Sequence, residues 1–291
     1  MCRYDALGTL RRVRPTTSAR TAVVTSSPRA SILIGSHNNA ETIRRAVASM
    51  LCQTIADIEV IILDDGSSDN TVDLVQAIPD PRVRCVALRA QGIPTTLNEG
   101  LRLARAEFVA IQDADDWSDP DRLARQVATL ERCPDVAVVG VRMREVDRHG
   151  RSRNQRTGLA LGDVGGALMR FNPLPNGAAA FRRNVVMELG GYDVRYRYAS
   201  DYDLWLRIAE WHRVVVLDEV LATRVLSGDN ASSRHEREQI AESLWLRVRA
   251  VRRAPRRWLR QAPKPLLRGC LAWATPLPLK RRRRAALGQA P

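Results

Sequence analysis

Three short apolar runs, Ser31-Ile32-Leu33-Ile34-Gly35, Ile58-Glu59-Val60-Ile61-Ile62-Leu63 and Glu107-Phe108-Val109-Ala110-Ile111, each stop abruptly in polar residues, with helix-length segments between them. This pattern narrows the fold more than any other feature of the chain. Runs rich in branched aliphatics, with little polar alternation, read as strands buried on both faces. Residues 40–52 and 94–105 carry the periodicity of amphipathic helices, and a helix capped by Ser68 or Asp69 runs to Ala77. Arg82-Val83-Arg84-Cys85-Val86-Ala87 is a further short strand. Strands alternating with helices imply right-handed βαβ units, hence an α/β fold with a mixed, mainly parallel, Rossmann-like sheet flanked by helices.

In such open sheets, ligands bind beyond the carboxyl ends of the strands. Those ends are Gly35-Ser36-His37-Asn38-Asn39, Asp64-Asp65-Gly66-Ser67-Ser68-Asp69 and Asp113-Ala114-Asp115-Asp116. In the last of these, three carboxylates crowd into four residues, with Asp119 and Asp121 just beyond. Like charges this close repel unless a cation or protons intervene, and all-oxygen donors suit a hard ion such as Mg²⁺ or Mn²⁺. The same stretch has a plainer reading, in which Ser118 or Asp119 ahead of Pro120 caps the next helix. Asp64 to Asp69 is also ordinary turn chemistry.

The second half repeats less. Val136-Ala137-Val138-Val139-Gly140 reads as a strand, 147–158 as an Arg-rich loop and Leu189-Gly190-Gly191-Tyr192-Asp193 as a turn. Asn176-Gly177-Ala178-Ala179-Ala180-Phe181-Arg182-Arg183 is a strand whose small residues allow close approach of a ligand or another backbone. A helix opens at Ser200 with Asp201 and Asp203 in its first turn, where the helix dipole favours carboxylates.

A net charge of +14 suggests a nucleic-acid partner until it is divided along the chain. Residues 1–30 hold six Arg and one Asp, residues 242–291 fourteen Arg or Lys and one Glu, and 31–241 the remaining 26 basic and 30 acidic residues. The body is therefore mildly acidic, which makes nucleic acid an unlikely partner for it. Cys2, Cys52, Cys85, Cys133 and Cys270 lack zinc or redox spacing and suit a reducing cytoplasm. No run approaches the roughly 18 to 20 apolar residues of a membrane span.

Taken together, residues 30–226 resemble the family 2 glycosyltransferases of GT-A fold, nucleotide-sugar-dependent enzymes. The resemblance rests on Ile34-Gly35-Ser36-His37-Asn38, where the family usually has Pro-Thr-Tyr-Asn; on Gln53-Thr54 and Asp64-Asp65-Gly66-Ser67; on Asn98-Glu99-Gly100, where the family has a turn; on Asp113-Ala114-Asp115-Asp116 as the DXD element; and on Ser200-Asp201-Tyr202-Asp203 ahead of Leu204-Trp205-Leu206-Arg207. It implies a nucleotide site of Ser36, His37, Asn38, Asp65 and Asp113, with Asp65 accepting from uracil or an equivalent base, which makes a UDP-sugar the expected donor. Asp115 would hold the divalent metal, Mn²⁺ or Mg²⁺, with Asp116 as a further ligand or a neighbour of the ion's shell. Asp201 would be the general base, Arg224 would contact the diphosphate in place of the family's His, and Asn176 to Asp193 would line the acceptor pocket. The implied reaction is inverting transfer to a hydroxyl of a saccharide or lipid-linked glycan, in polysaccharide or glycoconjugate biosynthesis. Nucleotidyl transfer would need a Gly- and Arg-rich loop after the first strand, which Gly35-Ser36-His37-Asn38 is not.

The chain thus divides into a basic leader at 1–29, expected to be disordered, a catalytic domain at 30–230 and a basic amphipathic extension at 231–291. The nucleotide half is 30–117 and the acceptor half 118–230. Within 238–260, Ile240, Leu244, Leu246, Val248, Val251 and Trp258 alternate with Arg. Such a segment can lie on an anionic membrane surface, with Trp245, Trp258 and Trp273 at headgroup depth and the protein peripheral on the inner face, or it can pack on the body. A non-catalytic nucleic-acid- or membrane-binding protein that works through its Arg-rich tails is the alternative function.

Overall fold

The computed structural model describes residues 2–4, 10–12, 27–147, 151–153, 161–226 and 235–258. Trp273 and most of the leader lie outside them. Within the leader, strands β1 (Cys2–Tyr4) and β2 (Leu10–Arg12) pair antiparallel, with Tyr4 opposite Leu10.

The main sheet begins with β3 (Ala30–Ser36), β4 (Ile58–Asp65), β5 (Val83–Leu88) and β6 (Phe108–Ile111), all parallel, in the spatial order β6-β3-β4-β5. Helices α1 (Ile43–Leu51), α2 (Thr71–Gln76) and α3 (Ile93–Leu103) connect them. Alternate residues of each strand feed opposite layers. Leu33, Ile61, Leu63, Val109 and Ile111 join one buried cluster, and Ile32, Ile34, Val60, Ile62 and Ala110 the other. Burial on both faces is what the apolar runs require.

Beyond β6 the sheet becomes mixed. After the two-residue β7 (Trp117–Ser118) and helix α4 (Arg122–Arg132) come β8 (Val136–Asp147), the short β9 (Ser152–Arg153) and β10 (Gly162–Asp163), then β11 (Ala179–Arg182), helices α5 (Arg183–Glu188) and α6 (Ser200–Ile208), and β12 (Arg213–Leu226). Strand β11 lies antiparallel between β6 and β8, while β12 runs parallel to β8 and pairs at its far end with β7.

Several local expectations are corrected. Ser118 is a strand residue and does not cap α4, whose N-terminal flank is Asp121; the Leu123 amide instead donates to Gln53 Oε1 at 2.9 Å, so a side chain from the distant Gln53-Thr54 pair satisfies that helix end. Asp69 accepts from the Thr71 amide at 3.0 Å, although the residue flanking α2 is Asn70. The strand expected from Asn176 starts at Ala179, after a 3₁₀ turn over Asn176–Ala178. The helix expected over 94–105 is α3, and it carries Asn98-Glu99-Gly100, where the family has a turn.

Helix α7 (Glu236–Arg253) and a final turn, α8 (Pro255–Trp258), pack on the body, burying Leu246, Ala250 and Trp258 in the same cluster as α6. Trp258, expected at headgroup depth, is instead buried against the body, while Trp245 is exposed. No helix among the described residues is long and apolar enough to cross a membrane.

Candidate active site

The chain moves outward from β3 to β4 and β5, then returns to the other side of β3 to form β6, so the topological switch point falls between β3 and β6. The parallel register sends the ends of β3, β4 and β6 to one edge.

On the β3–β4 side, Asn38 adopts a left-handed backbone (φ 55°) and stitches two loops together. Its amide donates to Ser67 Oγ at 2.8 Å and its Oδ1 accepts from the Ser68 amide at 2.8 Å. Asn and Asp tolerate this conformation better than other side chains. The buried Ser36 hydroxyl turns to Asn39 Oδ1 at 3.2 Å, so it shapes the loop from within. His37 stays exposed while its Nδ1 donates to the Asp65 carbonyl at 2.9 Å. The Asp65 carboxylate accepts three bonds, from the Gln91 amide (2.8 Å), the Gly92 amide (2.9 Å) and Thr96 Oγ1 (2.9 Å). A carboxylate offers about four acceptor positions, which leaves one for a ligand.

On the β6 side, Asp113, Asp115 and Asp116 form a tight turn closed by the Asp116 amide donating to the Asp113 carbonyl at 3.2 Å. Arg45 from α1 stacks on the Trp117 ring at 4.5 Å and donates to the Asp115 carbonyl at 2.8 Å, fixing the turn from below. Asp116 is buried and its Oδ1 accepts from the Val225 amide at 3.0 Å, which ties the turn to β12 beside Arg224. Burial, and then repulsion from Asp115, push the Asp113 carboxyl up to about 6, with Asp201 adding to the rise and Arg224 and Arg122 opposing it. Burial also raises Asp116 well above the usual carboxylate range, reinforced by Asp113 and Asp115. Asp201 arrives from the first turn of α6. Its carboxylate accepts from the Tyr202 amide (2.7 Å) and Asn172 Nδ2 (3.0 Å), yet burial lifts it to about 6. Asp113, Asp115, Asp116, Asp201 and Arg224 thus form one electrostatic group, whereas Ser36 and Asn38 spend their polar groups on the loops.

Gly177 is what lets the two halves close. A Cβ at this position would lie 2.4 Å from Asp113 Oδ2 and 2.5 Å from its Cγ. Gly177→Ala is therefore expected to displace the Asp113 carboxylate at a cost of about 1–3 kcal/mol. A chemical denaturation midpoint equal to that of the wild type would contradict the close packing.

Two further side chains shape the site, and of these the sequence pattern did not single out Arg122. Arg122, fully buried on α4, donates to Gln112 Oε1 (3.0 Å), Ser118 Oγ (2.9 Å), Gln126 Oε1 (3.1 Å) and the carbonyls of Ile111 (2.8 Å) and Ala179 (3.2 Å). All five acceptors are neutral, and its charge lies beneath Asp113 and Asp116; burial lowers its own value to about 10. Asn98 joins α3 to the segment between α5 and α6, donating to the Tyr192 carbonyl and accepting from the Tyr192 amide, both at 2.8 Å. A Cβ on Gly191 (φ 72°) would meet Asn98 Oδ1 at 2.4 Å. The Asn98-Glu99-Gly100 and Gly190-Gly191-Tyr192 motifs were both visible in the sequence, but nothing in either showed that they meet.

Among the described residues, no group of three or more His, Cys, Asp or Glu side chains forms a ready cage for a metal ion. The donor set fits an ion that takes one or two carboxylates and completes its shell with ligand phosphates and water. The repulsion that raises Asp113 and Asp116 is what such an ion would relieve. Asp115 would hold it, with Asp116 beside it in the same turn.

Fold and site define an α/β protein whose ionisable residues converge at the ligand-binding edge of its sheet. Residues 31–190 match the family described as Glycosyl transferase family 2. The amylovoran biosynthesis glycosyltransferase AmsE of Erwinia amylovora is 30% identical over 197 residues, which cover 66% of this chain and 74% of that protein. The succinoglycan biosynthesis protein ExoO of Rhizobium meliloti is 44% identical over 101 residues, 34% of this chain and 29% of ExoO. The mannosyltransferase PcManGT from Pyrobaculum calidifontis, solved with GDP-Man and Mn2+, superposes with a TM-score of 0.64 at 22% identity, covering 91% of this chain and 81% of that one. The chain belongs to glycosyl transferase family 2.

Proposed function

We propose that this chain is an inverting, metal-dependent glycosyltransferase that moves a sugar from a nucleotide-diphosphate donor to a hydroxyl of a saccharide or lipid-linked acceptor. The observation that carries the reading is the meeting of Asp201 with the Asp113–Asp116 turn, two carboxylate sources from different halves of the chain that feel one another's charge. AmsE and ExoO are named for amylovoran and succinoglycan biosynthesis, which favours a role in polysaccharide or glycoconjugate assembly.

The remaining acceptor position of Asp65 suits a uracil N–H, so a UDP-sugar is the expected donor, with the exposed His37 ring stacked on the base. Asp113 faces the ribose, Arg224 the diphosphate, and Asp115 holds the ion. A bound divalent ion stabilises the charge that gathers on the departing diphosphate. Asp201 takes the proton of the incoming hydroxyl from the side opposite the diphosphate, and its raised value makes it a stronger base than an exposed Asp while leaving it ionised at neutral pH. Because no side chain forms a bond to the sugar, the anomeric carbon inverts. The segment from Asn176 to Asp193, within the acceptor half, lines the acceptor side.

Peripheral attachment to the inner face of a membrane is the proposed location. In its support, Trp245 is 53% exposed on α7, with the Arg252 guanidinium 5.9 Å from the centre of its ring.

Titration calorimetry with UDP tests the donor site. Mn²⁺ is expected to tighten binding by about tenfold or more, about 1.4 kcal/mol, and Asp115→Ala to abolish that gain. Equal UDP affinity with and without metal, unchanged in Asp115→Ala, would sink the metal assignment.

A further inference from the structure

The segment leading into α6 is gripped by the C-terminal helix. Three successive backbone amides donate to one carboxylate, that of Glu242 on α7: Arg197 N–H to Oε1 at 3.1 Å, and Tyr198 and Ala199 N–H to Oε2 at 2.9 and 2.8 Å. Consecutive amides converging on an anion form a nest, and bonds to a charged acceptor are the stronger kind. Ala199 flanks α6, and Ser200 and Asp201 follow directly.

The neighbouring contacts point the same way. Gln239 Nε2 donates to the Tyr198 carbonyl at 3.2 Å, and His235 stacks on the Tyr198 ring at 4.4 Å. Arg247 Nε donates to Tyr202 Oη at 3.1 Å, while Arg249 reaches Asp193 Oδ2 (3.0 Å) and Tyr196 Oη (2.9 Å). Leu246, Ala250 and Trp258 already supply an apolar anchor for the helix. The polar contacts add something that anchor does not: they fix the path of the backbone over 193–202.

We infer that Glu242 is a positioning residue for Asp201, and that the C-terminal helix is part of the catalytic unit. The inference rests on the reading of Asp201 as general base. Transfer needs that carboxylate within hydrogen-bond reach of the acceptor hydroxyl, and a misplacement of about 1 Å can cost about 100-fold in rate. By holding the three amides before α6, Glu242 sets where the first helical turn, and with it Asp201, begins.

The test uses the full chain as wild type, Asp201→Asn, Glu242→Ala and Glu242→Gln. UDP-glucose, UDP-galactose, UDP-N-acetylglucosamine and GDP-mannose are screened with Mn²⁺, and hydrolysis of whichever the wild type turns over is followed. Hydrolysis is informative because water then stands in for the acceptor hydroxyl. Glu242→Ala is expected to lower kcat about 10- to 100-fold, with the affinity for UDP and Mn²⁺ within about twofold of wild type. Hydrogen exchange at amides 197–199 should accelerate. Glu242→Gln, which keeps one acceptor oxygen and is the more conservative change for folding, should fall between Glu242→Ala and wild type. A kcat for Glu242→Ala within about twofold of wild type, in a background where Asp201→Asn is inactive, overturns the positioning role. So does a loss of UDP affinity as large as the loss of kcat, since that marks general damage. Wild-type turnover by Asp201→Asn would overturn the reading of the base itself, whatever the Glu242 variants do.

Discussion

Asp201→Asn is expected to lower kcat by about 10²- to 10⁴-fold, the usual contribution of a positioned general base, while UDP binding in the presence of Mn²⁺ persists. Asparagine keeps the side-chain shape but cannot accept the proton. The pH dependence gives a second signature. Burial holds the Asp201 carboxyl at about 6 in the folded protein, so its basic form is present above that pH and is lost as pH falls through it. In the wild type kcat should therefore be level above about pH 7 and fall about tenfold per unit below about pH 5. Asp113 also lies near 6, but its rise comes partly from the repulsion of Asp115, which a bound cation offsets. Rates measured at saturating Mn²⁺ therefore reduce the Asp113 contribution, and the same profile for Asp201→Asn identifies the limb that belongs to Asp201. A flat profile from pH 8 to about pH 4.5 would remove Asp201 from the role.

The second large effect concerns stability. Arg122→Met is expected to cost about 3–5 kcal/mol, because it leaves Gln112, Ser118, Gln126 and two strand carbonyls short of a donor in the interior. It also removes the positive charge beneath Asp113 and Asp116, so both should hold their protons to higher pH. Arg122→Lys, with three donors where arginine has five, should lie between the two. Urea denaturation of the three proteins is the measurement. An Arg122→Met midpoint near that of the wild type would mean that the network contributes little to folding.

How much of this could be read from the chain depended on how local each signal was. Strands β3, β4 and β6 were legible because burial on both faces leaves no polar alternation, and their polar ends announced the binding edge. Asp113, Asp115 and Asp201 were legible through the family motifs they sit in. The cap of α4 was misread because local rules see Ser118 and Pro120, whereas the amide is satisfied by Gln53, 70 residues away. Arg122 looked like an ordinary helix residue, since nothing near it reveals that Gln112 and Gln126 will enclose it. Glu242 was hidden for the same reason, its partners lying 43 to 45 residues earlier. The strand expected from Asn176 began late because the tight contact between Gly177 and Asp113 draws those residues into a turn.

Strand β11 runs against its neighbours, so the chain enters the sheet at the edge that holds Asp113 and leaves it at the opposite edge. A parallel strand there would have reversed the two. As built, the excursion between β8 and β11 ends at the site, while β11 itself supplies the ladder. The stretch just before β11, from Gly165 to Ala178, holds no strand, so its sequence can change and reshape that edge while the rungs of β9, β10 and β11 stay in place.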